Sequence, residues 1–96
     1  MNDELLFAIH DEAARGRALN GPHHSAHESF AILSEEVDEL WDEVKTHRQN
    51  PDAMAQEALQ VAAMAFRFLQ DCCGDEVVLR LCRTRQKSLT ALPKRS

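Results

Sequence analysis

Apolar residues recur along the chain with a helical period, and the period is interrupted only at a few turn residues. Sharp breaks lie at Asn20-Gly21-Pro22, Asn50-Pro51, Gly74 and Pro93. Between these breaks the pattern predicts four helices, over about residues 3–19, 26–48, 51–73 and 76–90.

Residues typical of helix ends support these boundaries. Ser25 and Glu28 have the Ser-x-x-Glu spacing of a capping box. Asn50 suits an N-cap, with Pro51 at the first helical position, and Gly74 suits a left-handed C-cap. The 96 residues are enough for one domain, over 1–96, and 3 glycines with 3 prolines are too few for an all-β fold. The predicted fold class is therefore all-α.

The second segment carries an apolar stripe and, beside it, an acidic band. On a helical wheel six large apolar residues fall within one arc of about 100°, namely Phe30, Leu33, Val37, Leu40, Trp41 and Val44. The neighbouring band contains Glu36, Glu39, Glu43 and Ile32. Because Ile32 is at its centre, we expect this band to be partly covered.

The third segment is apolar around most of its circumference, with a narrow polar strip of Gln56, Arg67 and Gln70. A helix of this kind is buried on several sides. Three other helices of a 96-residue chain are too few to surround it. The pattern therefore predicts a homo-oligomer, a dimer or a tetramer, in which a four-helix bundle is completed across subunits.

The formal charge of −5 is divided unevenly along the chain. Residues 28–43 include seven acidic and no basic residues, whereas residues 77–96 include six basic and no acidic ones. An acidic protein is poorly suited to nucleic acid, since affinity there depends on neutralising phosphates. The two segments suit a metal-bound polyphosphate, or else they are solvated faces that attract each other.

No apolar run approaches the ~20 residues that span a membrane, and no signal peptide is recognisable. The cysteines, Cys72, Cys73 and Cys82, are odd in number and two are adjacent. This is not a disulfide framework, so we expect a reduced, cytoplasmic protein without membrane partners. Adjacent cysteines also fit zinc coordination poorly, which favours a structural role.

Three glutamates are candidates for a metal site. Glu57 lies in the middle of the apolar side of the third segment, so it must be paired, protonated or bound to a cation. A salt bridge to Arg67 or to a basic residue of the fourth segment is the structural alternative. Glu36 and Glu39 share one helix face, and the short connection before Pro51 predicts antiparallel packing that brings Glu57 within reach. Carboxylates without His or Cys select Mg²⁺ or Mn²⁺.

These residues resemble a known signature. Glu35-Glu36-x-x-Glu39, followed after 17 residues by Glu57-x-x-Gln60, is similar to the Glu-Glu-x-x-Glu…Glu-x-x-Asp signature of MazG-like nucleotide pyrophosphohydrolases. These enzymes belong to the all-α NTP pyrophosphatase superfamily, and the resemblance covers about residues 27–70. It implies a house-cleaning enzyme, a dimer or a pair of dimers, that holds Mg²⁺ in a helical bundle. Such an enzyme hydrolyses a nucleoside triphosphate between its α- and β-phosphates, giving the monophosphate and pyrophosphate.

The resemblance also implies roles for individual residues. Glu36, Glu39 and Glu57 would be metal ligands, and Glu35 a further ligand or the group that orients or activates water. Either Glu35 or Glu36 would accept the proton of that water. Gln60 replaces the family's Asp; its carbonyl can coordinate a cation but brings no charge. The resemblance therefore allows an alternative, a catalytically weak module that binds metal, nucleotide or a partner protein.

Further candidates are less specific. Three basic residues share a stripe of the fourth segment and are candidates for binding the triphosphate, or else an exposed basic face: Arg80, Arg83 and Lys87. The resemblance favours a nucleobase pocket near the start of the second segment, with His27, Phe30 and Trp41 as candidates, although Phe30 and Trp41 also suit the core. The cluster of His23, His24 and His27 is either a transition-metal site or an accidental feature of a loop.

Three hypotheses result. The first is a Mg²⁺-dependent pyrophosphohydrolase acting as a homo-oligomer. The second is the weak binding module, and the third is a plain dimeric bundle whose buried glutamates are merely paired.

Overall fold

The computed structural model describes the backbone of residues 1–91 and the side chains of residues 1–88. It contains four α-helices and one π-helix, in the order α1 (Asn2–Asn20), α2 (Ala26–Val44), α3 (Pro51–Phe68), π-helix (Leu69–Cys73) and α4 (Asp75–Ala91). No strand occurs in the described part of the chain, which confirms the all-α prediction. The break predicted at Pro93 lies outside the described residues.

The helix N-termini form as their sequences predict. Asn50 Oδ1 accepts hydrogen bonds from the backbone N–H groups of Asp52 (3.0 Å) and Ala53 (3.2 Å), which caps α3. Ser25 Oγ accepts from Glu28 N at 3.0 Å, which caps α2. The reciprocal half of the capping box differs, because Glu28 Oε2 accepts from His24 N rather than from Ser25.

The end of α2 differs from the prediction. The helix ends at Val44, four residues before the predicted position 48. Thr46 Oγ1 donates to the carbonyl of Glu43 (2.8 Å), and Gln49 Nε2 donates to that of Val44 (3.0 Å). These side chains satisfy carbonyl groups that the next helical turn would otherwise bind. The prediction of a helix to residue 48 is therefore wrong.

Helix α3 is the centre of the fold. Helices α1 and α2 both pack against it, whereas α4 contacts chiefly the π-helix. The radius of gyration is 15.9 Å, compared with about 12–13 Å for a compact globule of this length. The difference indicates that α4 extends away from the three other helices.

The core within one chain is small. Its buried apolar residues, among those described, are Ala13, Ala63 and Met64. The predicted stripe of α2 is largely uncovered, with Phe30 63%, Val37 46% and Trp41 58% exposed. Large apolar side chains of this exposure on one helix form a contiguous patch of the kind that marks an interaction surface.

The length and apolar character of the described helices show whether any of them could span a membrane. None of them combines the length and the apolar character needed to cross a bilayer.

Candidate metal centre and adjoining cavity

Three carboxylates meet between α2 and α3. Oxygen atoms of Glu36, Glu39 and Glu57 all lie within 4.8 Å of one another. Glu36 and Glu39 are three residues apart, so they lie on one face of α2. Glu57 reaches them because the short connection before Pro51 returns α3 along α2. The structure thus brings together the three residues that spacing alone placed near one another.

The electrostatics of this carboxylate cluster are unfavourable without a cation. Burial, followed by repulsion from Glu39, raises the pKa of Glu36 to about 7. Burial and the same neighbour also raise the pKa of Glu57. Glu36 Oε2 is buried and has no hydrogen-bond partner. None of the ion pairs among the described residues involves these three glutamates, so a proton or a cation must relieve the repulsion.

Arg67, considered above as a salt-bridge partner for Glu57, binds a different group. Its side chain is buried, and Nη2 donates to the carbonyl of Gly21 at 2.6 Å. Arg67 therefore secures the turn after α1, whose Gly21 adopts a φ of 75°. Of the polar strip predicted on α3, only Gln56 and Gln70 are exposed, and the placement of Arg67 in that strip is corrected.

Glu35 is not part of the cluster, and the Gln60 amide makes a hydrogen bond to α1. The Gln60 amide donates to Glu12 Oε1 of α1 at 2.8 Å, and Glu12 also accepts from Arg15 at 2.8 Å. The hydrogen bond from Arg15, and then that from Gln60, lowers the pKa of Glu12. Glu35 is exposed on α2. The roles implied for Gln60 and Glu35 stay predictions, and Glu12 is a polar residue of the site that no motif in the sequence indicates.

A cavity of about 260 Å³ adjoins the cluster, between α1, the following turn, α2 and α3. Glu36 belongs to both, because its side chain also lines the cavity. Glu12, Gln60 and Arg67 line other parts of the wall, together with apolar side chains such as Met64. The cavity therefore combines polar groups from three helices directly beside the carboxylates.

His23 is held firmly at this cavity. Its ring Nδ1 lies 2.7 Å from Ser29 Oγ, and its backbone N–H donates to Asp71 Oδ2 at 3.0 Å. Asp71, which belongs to the π-helix, also pairs with Arg17 of α1. Burial, and then the charge of Arg67, lowers the pKa of His23. His23 is therefore a neutral ring at pH 7.

The candidate residues for the nucleobase pocket are not assembled into one pocket. His27 and Phe30 line a shallow groove of about 300 Å³ with Phe68. Trp41 does not line this groove and is mostly exposed. The nucleobase role of these three residues stays a prediction without a common cavity to support it.

The basic candidates of α4 lie apart from the cluster within one chain. Arg80 and Arg83 line a groove with Glu76 and Leu79, formed by α4 alone. Lys87 is exposed on the same helix. Because α4 packs mainly on the π-helix, a single chain does not place this stripe against the acidic face of α2.

The other candidate metal ligands of the described residues form no converging group of three or more. Cys72, Cys73 and Cys82 are free thiols, and Cys82 is exposed. Within the described part of the chain, the carboxylate cluster is the only group of three or more potential ligands that converge. The His23, His24 and His27 cluster is therefore not a metal site in this structure.

Comparison with known proteins found no match. No protein-family model, curated protein or solved structure matches this chain.

Proposed function

We propose that the chain is a divalent-cation-dependent nucleoside triphosphate pyrophosphohydrolase, which converts NTP or dNTP into the monophosphate and pyrophosphate. The observation that carries this proposal is the cluster of Glu36, Glu39 and Glu57, with its buried and unpartnered Glu36 oxygen. The resemblance of the motif from Glu35 to Gln60 to MazG-like enzymes supplies the reaction and the house-cleaning role. The substrate is a small molecule, and nucleic acid and membranes are not partners.

The residues present fit a hard cation. All three donors are carboxylates, which suit Mg²⁺ and Mn²⁺. An unpartnered buried oxygen and a raised pKa are the features that such a site shows without its ion. Glu36, Glu39 and Glu57 would hold the cation. When bound, it neutralises phosphate charge and makes water more acidic.

The chain's own groups then perform the remaining steps. Glu35, next to Glu36 and open to solvent, accepts the proton of the attacking water or orients that water. Glu36, a carboxylate of the cluster itself, is the other candidate base. Arg80, Arg83 and Lys87 hold the triphosphate and stabilise its developing charge.

The proposed active unit is a homo-oligomer, a dimer or a tetramer. The exposed stripe of Phe30, Val37 and Trp41 supports an interface on α2. In this oligomer the basic residues of α4 in one copy lie against the acidic band of α2 in a second copy. The position of α4, which extends away from the other helices of its own chain, favours this arrangement. This arrangement would complete the helical bundle and bring cations to the phosphates. A cytoplasmic location, expected from the cysteine pattern, belongs to the same proposal.

The second candidate is a weakly active module that binds metal, nucleotide or a partner protein. Gln60 favours it, because its amide donates to Glu12 and brings no charge to the cluster. Fewer anionic ligands weaken the binding of a hard cation. The two candidates differ in turnover and share the metal site.

A pyrophosphate-release assay tests the first candidate. Wild type, Glu57→Gln and Glu43→Gln are compared over the common and the damaged dNTPs, with Mg²⁺ or Mn²⁺. Glu43 is a matched control, because it belongs to the same band of α2 but not to the cluster. We expect turnover by wild type and Glu43→Gln, and loss in Glu57→Gln. Absence of turnover by wild type and by Gln60→Asp alike would contradict the enzymatic proposal.

Thermal unfolding separates both candidates from a plain bundle. Mg²⁺ at about 100 times its Kd stabilises a binding protein by about 2.7 kcal/mol. We expect this stabilisation in wild type and its disappearance in Glu57→Gln. If the glutamates are merely paired, Mg²⁺ leaves the melting temperature of wild type unchanged.

A further inference from the structure

The side chain of Gln60 is held by a carboxylate of α1. Gln60 Nε2 donates to Glu12 Oε1 at 2.8 Å. Arg15 holds the same carboxylate through two further hydrogen bonds, of 2.8 Å and 3.2 Å. The Glu12 side chain is only 15% exposed. The partner of the Gln60 amide is therefore itself ordered and mostly covered.

The chemistry of this hydrogen bond determines which way the Gln60 amide faces. A carboxylate paired with an arginine only accepts hydrogen bonds, so the NH₂ group of Gln60 must face Glu12. The nitrogen and the oxygen of an amide point in different directions from one carbon atom, so the carbonyl oxygen is turned away from Glu12. No group among the described residues donates a hydrogen bond to this oxygen. The bond to α1 therefore leaves one acceptor of Gln60 available.

The available oxygen belongs to a residue beside the carboxylate cluster. Gln60 follows Glu57 by three residues in α3, so the two side chains lie on one face of that helix. Gln60 also lines the same cavity wall as Glu36. An amide carbonyl is one of the oxygen ligands that hard cations accept. Gln60 is thus bound to α1 through its nitrogen and adjoins two members of the cluster.

A carboxylate that binds the far side of a metal ligand improves that ligand. Such a carboxylate fixes the orientation of the ligand and raises its basicity, and its removal typically lowers metal affinity about 10–100-fold. A neutral amide depends strongly on this support. Without Glu12, the Gln60 side chain can turn either its oxygen or its nitrogen toward a cation, and only the oxygen binds one.

We propose that Glu12 is a positioning residue, which holds the Gln60 amide so that its carbonyl oxygen completes the cation site of the carboxylate cluster. The inference rests on the proposed function for the cation itself. It gives α1, which carries none of the three clustered glutamates, a part in binding the cation. It also explains how an uncharged residue serves at position 60.

Mn²⁺ binding in the absence of nucleotide tests the role of Glu12. The Kd is measured with the full chain by electron paramagnetic resonance of free Mn²⁺. Glu12→Gln keeps the size of the side chain but introduces a group that donates as well as accepts, so it no longer fixes the Gln60 amide. We expect it to raise the Kd about tenfold or more. Asp11→Asn, at the neighbouring exposed position of α1, is the matched control and should raise it less than about twofold.

A double-mutant cycle shows whether Glu12 acts through Gln60. Gln60→Met keeps the length of the side chain and removes the amide, so we expect it to raise the Kd about tenfold or more by itself. Adding Glu12→Gln to Gln60→Met should then change the Kd by less than about twofold. A carboxylate that acted only on the packing of α1, or through its charge at a distance, would keep its separate effect in this background.

The side-chain amides of the wild-type protein give a measurement that needs no variant. Mg²⁺ is titrated into nucleotide-free protein, and the glutamine NH₂ signals are followed by NMR. We expect the Gln60 signal to shift, because coordination of the oxygen withdraws electron density from the nitrogen. The signals of Gln56 and Gln70, which are exposed, should stay in place. If a variant fails to fold, these wild-type shifts still decide.

Several results would overturn the proposal: no binding of Mn²⁺ to wild type, an unchanged Kd in Glu12→Gln, an effect of Glu12→Gln that persists beside Gln60→Met, or a Gln60 signal that saturating Mg²⁺ leaves in place. Turnover by wild type with an unchanged Kd in Glu12→Gln would keep the enzymatic proposal and remove this one. Binding that depends on Glu12, without turnover, would do the reverse.

Discussion

Replacing Glu36 by Gln should stabilise the metal-free protein in a pH-dependent way. Glu36 has a pKa of about 7 in place of 4.5, and each pKa unit corresponds to about 1.36 kcal/mol. Its raised pKa means that the folded state prefers the protonated form. Stability is therefore unaffected below pH 4.5 and falls as pH rises through about 7. The glutamine amide, which never ionises, avoids a loss of about 3 kcal/mol at high pH.

The assay is urea unfolding followed by circular dichroism, with a chelator and at one protein concentration. We expect Glu36→Gln and wild type to differ by less than about 1 kcal/mol near pH 5, and by about 3 kcal/mol near pH 8 in favour of the variant. The difference between the unfolding free energies of the two proteins cancels the contributions of titratable groups that both proteins contain. Among these is His23, whose lowered pKa makes stability fall as pH decreases below 6.5.

Asp38→Asn is the control, because it removes a carboxylate from the exposed side of the same helix. It should show no comparable increase between the two pH values. A constant difference between Glu36→Gln and wild type across this range would refute the argument that burial and neighbouring carboxylates disfavour the Glu36 charge.

Three further substitutions, one of them paired with a control substitution, test the fold and the proposed interface. Asn50→Ala removes the cap of α3 and should lower the free energy of unfolding by about 1 kcal/mol in chemical denaturation. Asp71→Ala leaves Arg17 and the backbone N–H of His23 without their partner, so we expect a loss of about 2 kcal/mol. The exposed Asp75→Ala should change stability far less, and equal losses would contradict the role of Asp71. Trp41→Glu charges the exposed stripe of α2, and sedimentation should then detect monomers; an unchanged oligomer would exclude this stripe from the interface.

The carboxylate cluster was predictable because helical period and a short connection constrain it strongly. Glu36 and Glu39 must share a face of α2 at their spacing. The antiparallel return of α3 leaves few positions from which Glu57 can meet them. Local capping at Asn50 was predictable for the same reason, since the interaction spans three residues.

The adjoining cavity was not predictable from the pattern. It depends on how α1 crosses α3, and α1 spreads its apolar residues around its circumference, so no stripe indicates the buried side. Glu12 and His23 therefore gave no signal of their positions. The sequence pattern placed Arg67 in a polar strip, and only the turn at Gly21 provides the carbonyl that its buried side chain binds. The early end of α2 depended on side-chain bonds from Thr46 and Gln49 that propensity does not reveal.

The π-helix at Leu69–Cys73 and the non-helical Gly74, with a φ of 84°, together connect α3 to α4 and set the direction in which α4 leaves the bundle. A π-turn holds one residue more than an α-turn, so it advances the later chain by one position relative to a continuous helix. Deleting Gln70, which is exposed, would restore an α-helical repeat and rotate everything beyond it by about 100°. The Arg80 and Arg83 side chains would then project in a different direction, although none of their own contacts had been altered. A change of one residue in the length of this segment thus changes the orientation of the whole of α4.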